Sequence, residues 1–143
     1  MRYVALFALV VALVPATAAG GAAAPVEANL RSCHPHAEQA KRYAVFEGVM
    51  KGKRTMRMEI RFDLQRADPG TDFRVVSAPG LSVWSRAAAG VVRYRYRKRV
   101  ENLPAPAFYR AHVLFRWRDA AGKVVRHSDA LTPACEQPAP PPA

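Results

Sequence analysis

Two local groupings in this chain hold residue types that could do chemistry. His127-Ser128-Asp129 brings together the three residue types of a hydrolase triad. Neighbouring residues on a strand face opposite sides. His127 and Ser128 would therefore diverge, and a local base–nucleophile contact is out of reach. Cys33-His34-Pro35-His36, with Cys135 far along the chain, offers metal-ligand types. That spacing matches no standard zinc pattern, and a disulfide would consume both sulfurs. The sequence holds no Gly-x-Ser-x-Gly elbow, phosphate loop, dinucleotide fingerprint or His-Glu-x-x-His. Its acids are few and scattered. Glu59 and Asp63 fall on the solvent side of a strand among arginines, which suits cross-strand salt bridges better than general acid catalysis. The expectation is a protein without catalysis, metal or cofactor.

The distinctive grouping is basic. Arg93, Arg95, Arg97 and Arg99 share one face of a strand, with Lys98 nearby, while Val92, Tyr94, Tyr96 and Val100 share the other. Same-face residues lie about 6.6–6.8 Å apart, so the four guanidinium groups span roughly 20 Å. That length fits a polyanion such as a nucleic acid, a sulfated glycan or a cell-wall phosphate polymer. Alternation turns Tyr94 and Tyr96 inward, as core rather than stacking platforms. Arg110, His112, Arg116 and Arg118 extend the basic surface to a later strand. Arginine supplies 17 of the 22 basic residues. An alternative reading is that these arginines only keep the domain soluble and blunt strand pairing.

Composition bounds the setting. The 143 residues are 50% apolar and carry a net charge of +11. That is enough for one domain with an ordinary core, and unlike a disordered chain, a collagen or a disulfide-dense mini-protein. Arg2 precedes an apolar run over Val4–Val14, then Pro15 and the small residues Ala16-Thr17-Ala18. This reads as a secretory signal over residues 1–18, cut after Ala18 or as far on as Ala24. The run is short of the approximately 20 residues of a membrane span. The mature chain is expected to be secreted or cell-envelope associated, without a transmembrane segment. Loss of Arg2 lowers the net charge to +10. In an oxidising compartment Cys33 and Cys135 are expected to pair and staple the ends of the domain together.

The elements that must position these residues are short strands. Residues 19–36 read as a linker and 37–42 as a helical turn. Met56, Met58, Ile60, Phe62 and Leu64 alternate with Arg57, Glu59, Arg61, Asp63 and Gln65, the period of a half-buried strand. Turn chemistry at Asp68-Pro69-Gly70-Thr71 leads to a short strand over 73–77. Another short strand involves Leu81, Val83 and Trp84. Strands follow over 91–100, from Tyr109 to Arg118 and over 123–128. The expected core includes Ile60, Phe62, Leu64, Val75, Val83, Tyr94, Tyr96, Tyr109, Val113, Phe115 and Trp117. Residues 37–135 form the domain and 136–143 a proline-rich tail. Six or seven strands with turns between them imply an antiparallel β-sandwich.

Leu103, Tyr109 and Val113, with prolines in the corner before the tyrosine and Gly122 after its strand, resemble the late strands of a fibronectin type III module. The resemblance covers about residues 43–130 and is strongest over 91–122. The chain departs from that pattern in lacking an early-strand tryptophan. It is also similar to small exported bacterial immunoglobulin-like modules. The resemblance implies an all-β sandwich of about seven strands and no particular activity. The expected role is binding or adhesion at the cell envelope, with an anionic polymer or another extracellular protein as partner. Sequence-specific nucleic-acid recognition is not expected. The alternative role is a protein–protein interaction or assembly module that uses an edge strand or the tail.

Overall fold

A computed structural model describes residues 25–143, so the expected signal segment lies outside the described residues. The described chain is all-β, with one 3-10 turn at Gln39–Lys41 inside the expected helical turn. The first sheet is three-stranded and antiparallel. It sets β1 (Val26–His34) beside β2 (Tyr43–Lys51), and β2 beside β6 (Arg93–Glu101). The second sheet has six strands. Its main path runs β4 (Arg74–Val75), β3 (Arg57–Ala67), β7 (Ala107–Arg118) and β8 (Val124–Leu131). The short β5 (Ser85–Arg86) pairs with β3, and β9 (Cys135–Gln137) pairs with β7.

Strict alternation builds the centre of the second sheet. Ile60 pairs with Phe115 and Phe62 with Val113, all four buried, while Arg61 and Leu114 face out. From the first sheet, Ala44, Phe46 and Met50 join the same apolar cluster. Gly48 lets the sheets meet closely. A Cβ there would stand 2.9 Å from Val113 Cγ1. The Trp117 indole N–H donates to the Lys51 carbonyl at 2.8 Å, so the largest core side chain also finds its polar partner across the sheets.

Several expectations need correction. The linker expected over 19–36 ends early, because residues 26–34 are β1, zipped to β2 from Val26–Met50 to His34–Tyr43. No residue of that strand is fully buried, so its sequence carries no clear apolar alternation. Val75 and Val83 are 63% and 59% exposed, not core, because their segments cover the edge of β3 with only two-residue ladders. The ladder expected around Leu81–Trp84 forms instead at Ser85–Arg86, and Ala87 fills the core there. Glu136 and Gln137, assigned to the tail, belong to β9. Tyr94 and Tyr96 lie partly buried against the core.

Cys33 and Cys135 form a disulfide with Cα atoms 5.3 Å apart. It joins β1 at the edge of the first sheet to β9 on the second.

A candidate anion-binding face on the first sheet

The arginine stripe lies on β6, an edge strand of the first sheet. Cross-strand register sets Arg99 opposite Val45, Arg97 opposite Glu47, Arg95 opposite Val49 and Arg93 opposite Lys51. Glu59 and Asp63, the acids read from the sequence as cross-strand salt-bridge partners, do not neighbour the stripe. β3 lies in the other sheet, and the strand beside β6 is β2.

Glu47 is the carboxylate that organises this face. It points outward on β2, yet only 2% of its side chain is exposed because arginines cover it. Arg97 Nε donates to Glu47 Oε2 at 2.6 Å, Arg95 Nε lies 3.6 Å from the same oxygen, and Asn29 Nδ2 donates to Oε1 at 3.4 Å. Burial alone would push the Glu47 carboxyl up. The Arg97 hydrogen bond and the charges of Arg97, Arg31 and Arg95 outweigh it and hold the group below its ordinary value. Arg99 is fixed differently. Its Nε donates to Glu101 at 2.6 Å, and its guanidinium stacks 3.6 Å from the Tyr43 ring centroid. Among the described residues Arg93 has no ion pair.

Arg95, Arg97 and Arg99 thus engage carboxylates through Nε, and their terminal amino groups make no hydrogen bond to protein among the described residues. Their side chains remain about half exposed. Four guanidinium groups stand over two carboxylates, and the excess is positive. Sequence reasoning missed Glu47 because β2 is apolar on both faces, so its outward row carries no alternation signal.

The other candidate groupings resolve as follows. Both sulfurs of Cys33 and Cys135 are used by the disulfide. His34 stacks between His36 and Tyr43. No group of three His, Cys, Asp or Glu among the described residues is arranged to hold a metal ion. In β8, His127 lies opposite Arg116 and Ser128 opposite the buried Phe115, so the two diverge. Asp129 pairs instead with His112 at 2.7 Å. Arg116 and Arg118 belong to the outer face of the second sheet, with Glu59 beneath them. Among the described residues no helix is long and apolar enough to cross a membrane.

No family model and no curated protein matches this chain. Among solved structures, the chain titled "X-ray structure of Northeast Structural Genomics Consortium target SoR45" is similar over 80% of this chain and 84% of its own, at 12% identity and a TM-score of 0.35. Its title names no activity, and a likeness this remote assigns none.

Proposed function

We propose that this chain is an exported, non-catalytic binding module that holds an anionic cell-envelope polymer on the arginine face of β6. The observation that carries the reading is the half-exposed row Arg93, Arg95, Arg97 and Arg99 on an edge strand, partly tethered at Nε and in charge excess over Glu47 and Glu101. Guanidinium groups held this way lose little freedom on meeting phosphate or sulfate oxygens. Export is supported by the signal-like opening and by the disulfide.

We also propose that the two sheets form an immunoglobulin or fibronectin type III-like sandwich. Support comes from the strand orders β1-β2-β6 and β4-β3-β7-β8. It also comes from the Tyr109 hydroxyl, which donates to the Pro104 carbonyl at 2.8 Å. A tyrosine tied back to the chain just upstream is a hallmark of such corners.

The test is binding of the disulfide-bonded domain to polyphosphate, a sulfated glycan and a neutral glycan across salt concentrations. A variant with Arg93, Arg95, Arg97 and Arg99 changed to Ser runs alongside. Four phosphate contacts predict a loss of about a hundredfold in affinity between 50 and 200 mM salt. Saturable binding to one polyanion, weakened at least about tenfold in the variant, supports the reading. Equal weak binding to every polymer, or a variant that binds like wild type, overturns it. Self-association or capture of a protein partner that tolerates the arginine changes would favour the assembly role instead.

A further inference from the structure

We infer a second anion site, sharing no residue with the β6 stripe, that takes the dianion of a phosphate monoester. It lies where the β2–β3, β5–β6 and β7–β8 connections meet at one end of the molecule. An open cleft of about 470 Å³ is lined there by Arg54, Arg57, Arg86 and Arg118, with Asp119 and Gly90 on its walls. Arg54 comes from the β2–β3 connection and Arg57 opens β3, while Arg86 closes β5 and Arg118 closes β7.

The charges there do not cancel. Arg57 and Arg118 are direct cross-strand partners. Like charges in that relation destabilise a sheet, and neither Arg57 nor Arg54 has an ion pair among the described residues. Glu59 is the carboxylate beneath them. Its side chain is 1% exposed and is shared by Arg86, Arg116 and Arg118. The other acid, Asp119, accepts the Lys123 backbone N–H at 2.9 Å. Four lining guanidinium groups against Glu59 and Asp119 leave an excess of two positive charges, before Arg116 is counted. A phosphate monoester carries close to two negative charges at neutral pH. A carboxylate or a sulfate monoester carries one.

The donors are also arranged in advance. Arg86 Nε donates to Glu59 Oε1 at 3.0 Å and Arg118 Nε to Oε2 at 2.9 Å. Arg118 Nη1 is further fixed by the Gly122 carbonyl at 2.7 Å. The terminal amino groups of Arg86 have no protein partner among the described residues. A guanidinium plane held at Nε with both terminal amino groups open, as in Arg86, suits the paired oxygens of a phosphate, and Arg118, held at two nitrogens, offers its remaining amino group beside it. Gly90 and Gly122 line the mouth at positive φ, and an added Cβ at either would meet no protein atom within 4 Å, so the cleft opens freely to solvent on that side.

The site is tested on the intact disulfide-bonded chain by NMR titration of backbone amides and arginine Nε–H groups. The probes are glycerol 3-phosphate, methyl sulfate and acetate. A further arm uses phosphatidylcholine vesicles with and without phosphatidic acid, and separates a soluble or polymer-borne phosphate from a lipid headgroup. Arg54→Ser/Arg57→Ser is the informative variant, since both side chains are exposed and neither has an ion pair to lose. Saturable shifts at Gly90, Gly122 and the Arg86 and Arg118 Nε–H groups are expected with glycerol 3-phosphate or with phosphatidic acid vesicles. Affinity should be at least tenfold above that for methyl sulfate and should drop at least tenfold in the variant. The four-serine stripe variant should bind like wild type. Equal affinity for methyl sulfate, shifts confined to Arg93–Arg99, binding indifferent to Arg54→Ser/Arg57→Ser, or no binding in either arm overturns the site. Because the stripe and cleft variants are separate, failure here leaves the β6 reading to stand or fall on its own test.

Discussion

Glu47 and Arg97 face each other across β2 and β6, with Arg97 Nε 2.6 Å from the carboxylate and Glu47 almost wholly covered by its arginine neighbours. Glu59 occupies the matching role on the second sheet, beneath Arg86, Arg116 and Arg118. Each sheet therefore carries, on its outward side, one buried carboxylate under a canopy of arginines. The anchors hold arginines whose mutual repulsion would otherwise load the strands, and they leave part of each guanidinium group available.

The Glu47 anchor predicts a pH-dependent stability. Burial opposes the charged form, but Arg97, Arg31 and Arg95 more than compensate, so folding lowers the pKa below the ordinary 4.5. The stabilisation is therefore complete above that ordinary value and is lost as pH falls through the lower, folded-state pKa. Glu47→Gln mimics the protonated side chain. At pH 7 it should cost about 1–2 kcal/mol, since its arginine partners are half in water. Urea unfolding of both proteins at pH 7 and pH 3 checks this. The gap should narrow in acid, and a gap of constant size would remove Glu47 from the account.

Gly48 predicts a packing limit. It faces the core from β2, and an added Cβ would meet Val113 Cγ1 at 2.9 Å and Ile60 Cγ2 at 3.1 Å, both on the opposite sheet. Neither contact is the loose end of a flexible chain. Gly48→Val should destabilise by about 1–3 kcal/mol, the usual cost of overpacking, despite valine's better strand propensity. A denaturant midpoint at or above that of wild type would show that the sheets can separate at no cost.

The strands that were legible in the sequence are those with one wet and one dry face. In β7 every second residue from Ala107 to Trp117 is buried, and the matching row from Phe108 to Arg118 is only partly so. The same contrast exposes β3 and the arginine side of β6. β2 lacks the contrast, because Val49 on its outward row is buried just as Ala44, Phe46 and Met50 are on the inward one. β1 lacks it for the opposite reason, since none of its residues is fully buried and its second half is exposed on both faces. The stripe residues were therefore visible and their partner was not. Which acid neutralises Arg95 and Arg97 depends on which strand lies beside β6, and that is decided by tertiary pairing. The cleft was hidden for a similar reason, since its arginines come from the β2–β3 connection and from the ends of β3, β5 and β7, which meet only in the folded chain.

The disulfide predicts how far the first sheet depends on a covalent tie. Cys33 and Cys135 are separated by 102 positions and connect β1, an edge strand, to β9 on the other sheet. Closing a loop of that length constrains the unfolded chain by about 4–5 kcal/mol in the chain-entropy model. Around the bond, Gln137 Nε2 donates to the His34 carbonyl at 3.4 Å, a long contact that adds little to hold β1 and β9 together. Cys33→Ser/Cys135→Ser should therefore lower the denaturant midpoint strongly. Hydrogen exchange should accelerate first at the His34 end of β1 and in β9, while the β3–β7 ladder stays protected longest, because its eleven residue pairs carry much of the buried apolar core, from Met58 and Trp117 to Leu64 and Ala111. Uniform loss of protection across both sheets would mean that the bond stabilises the domain as one cooperative unit rather than pinning one edge.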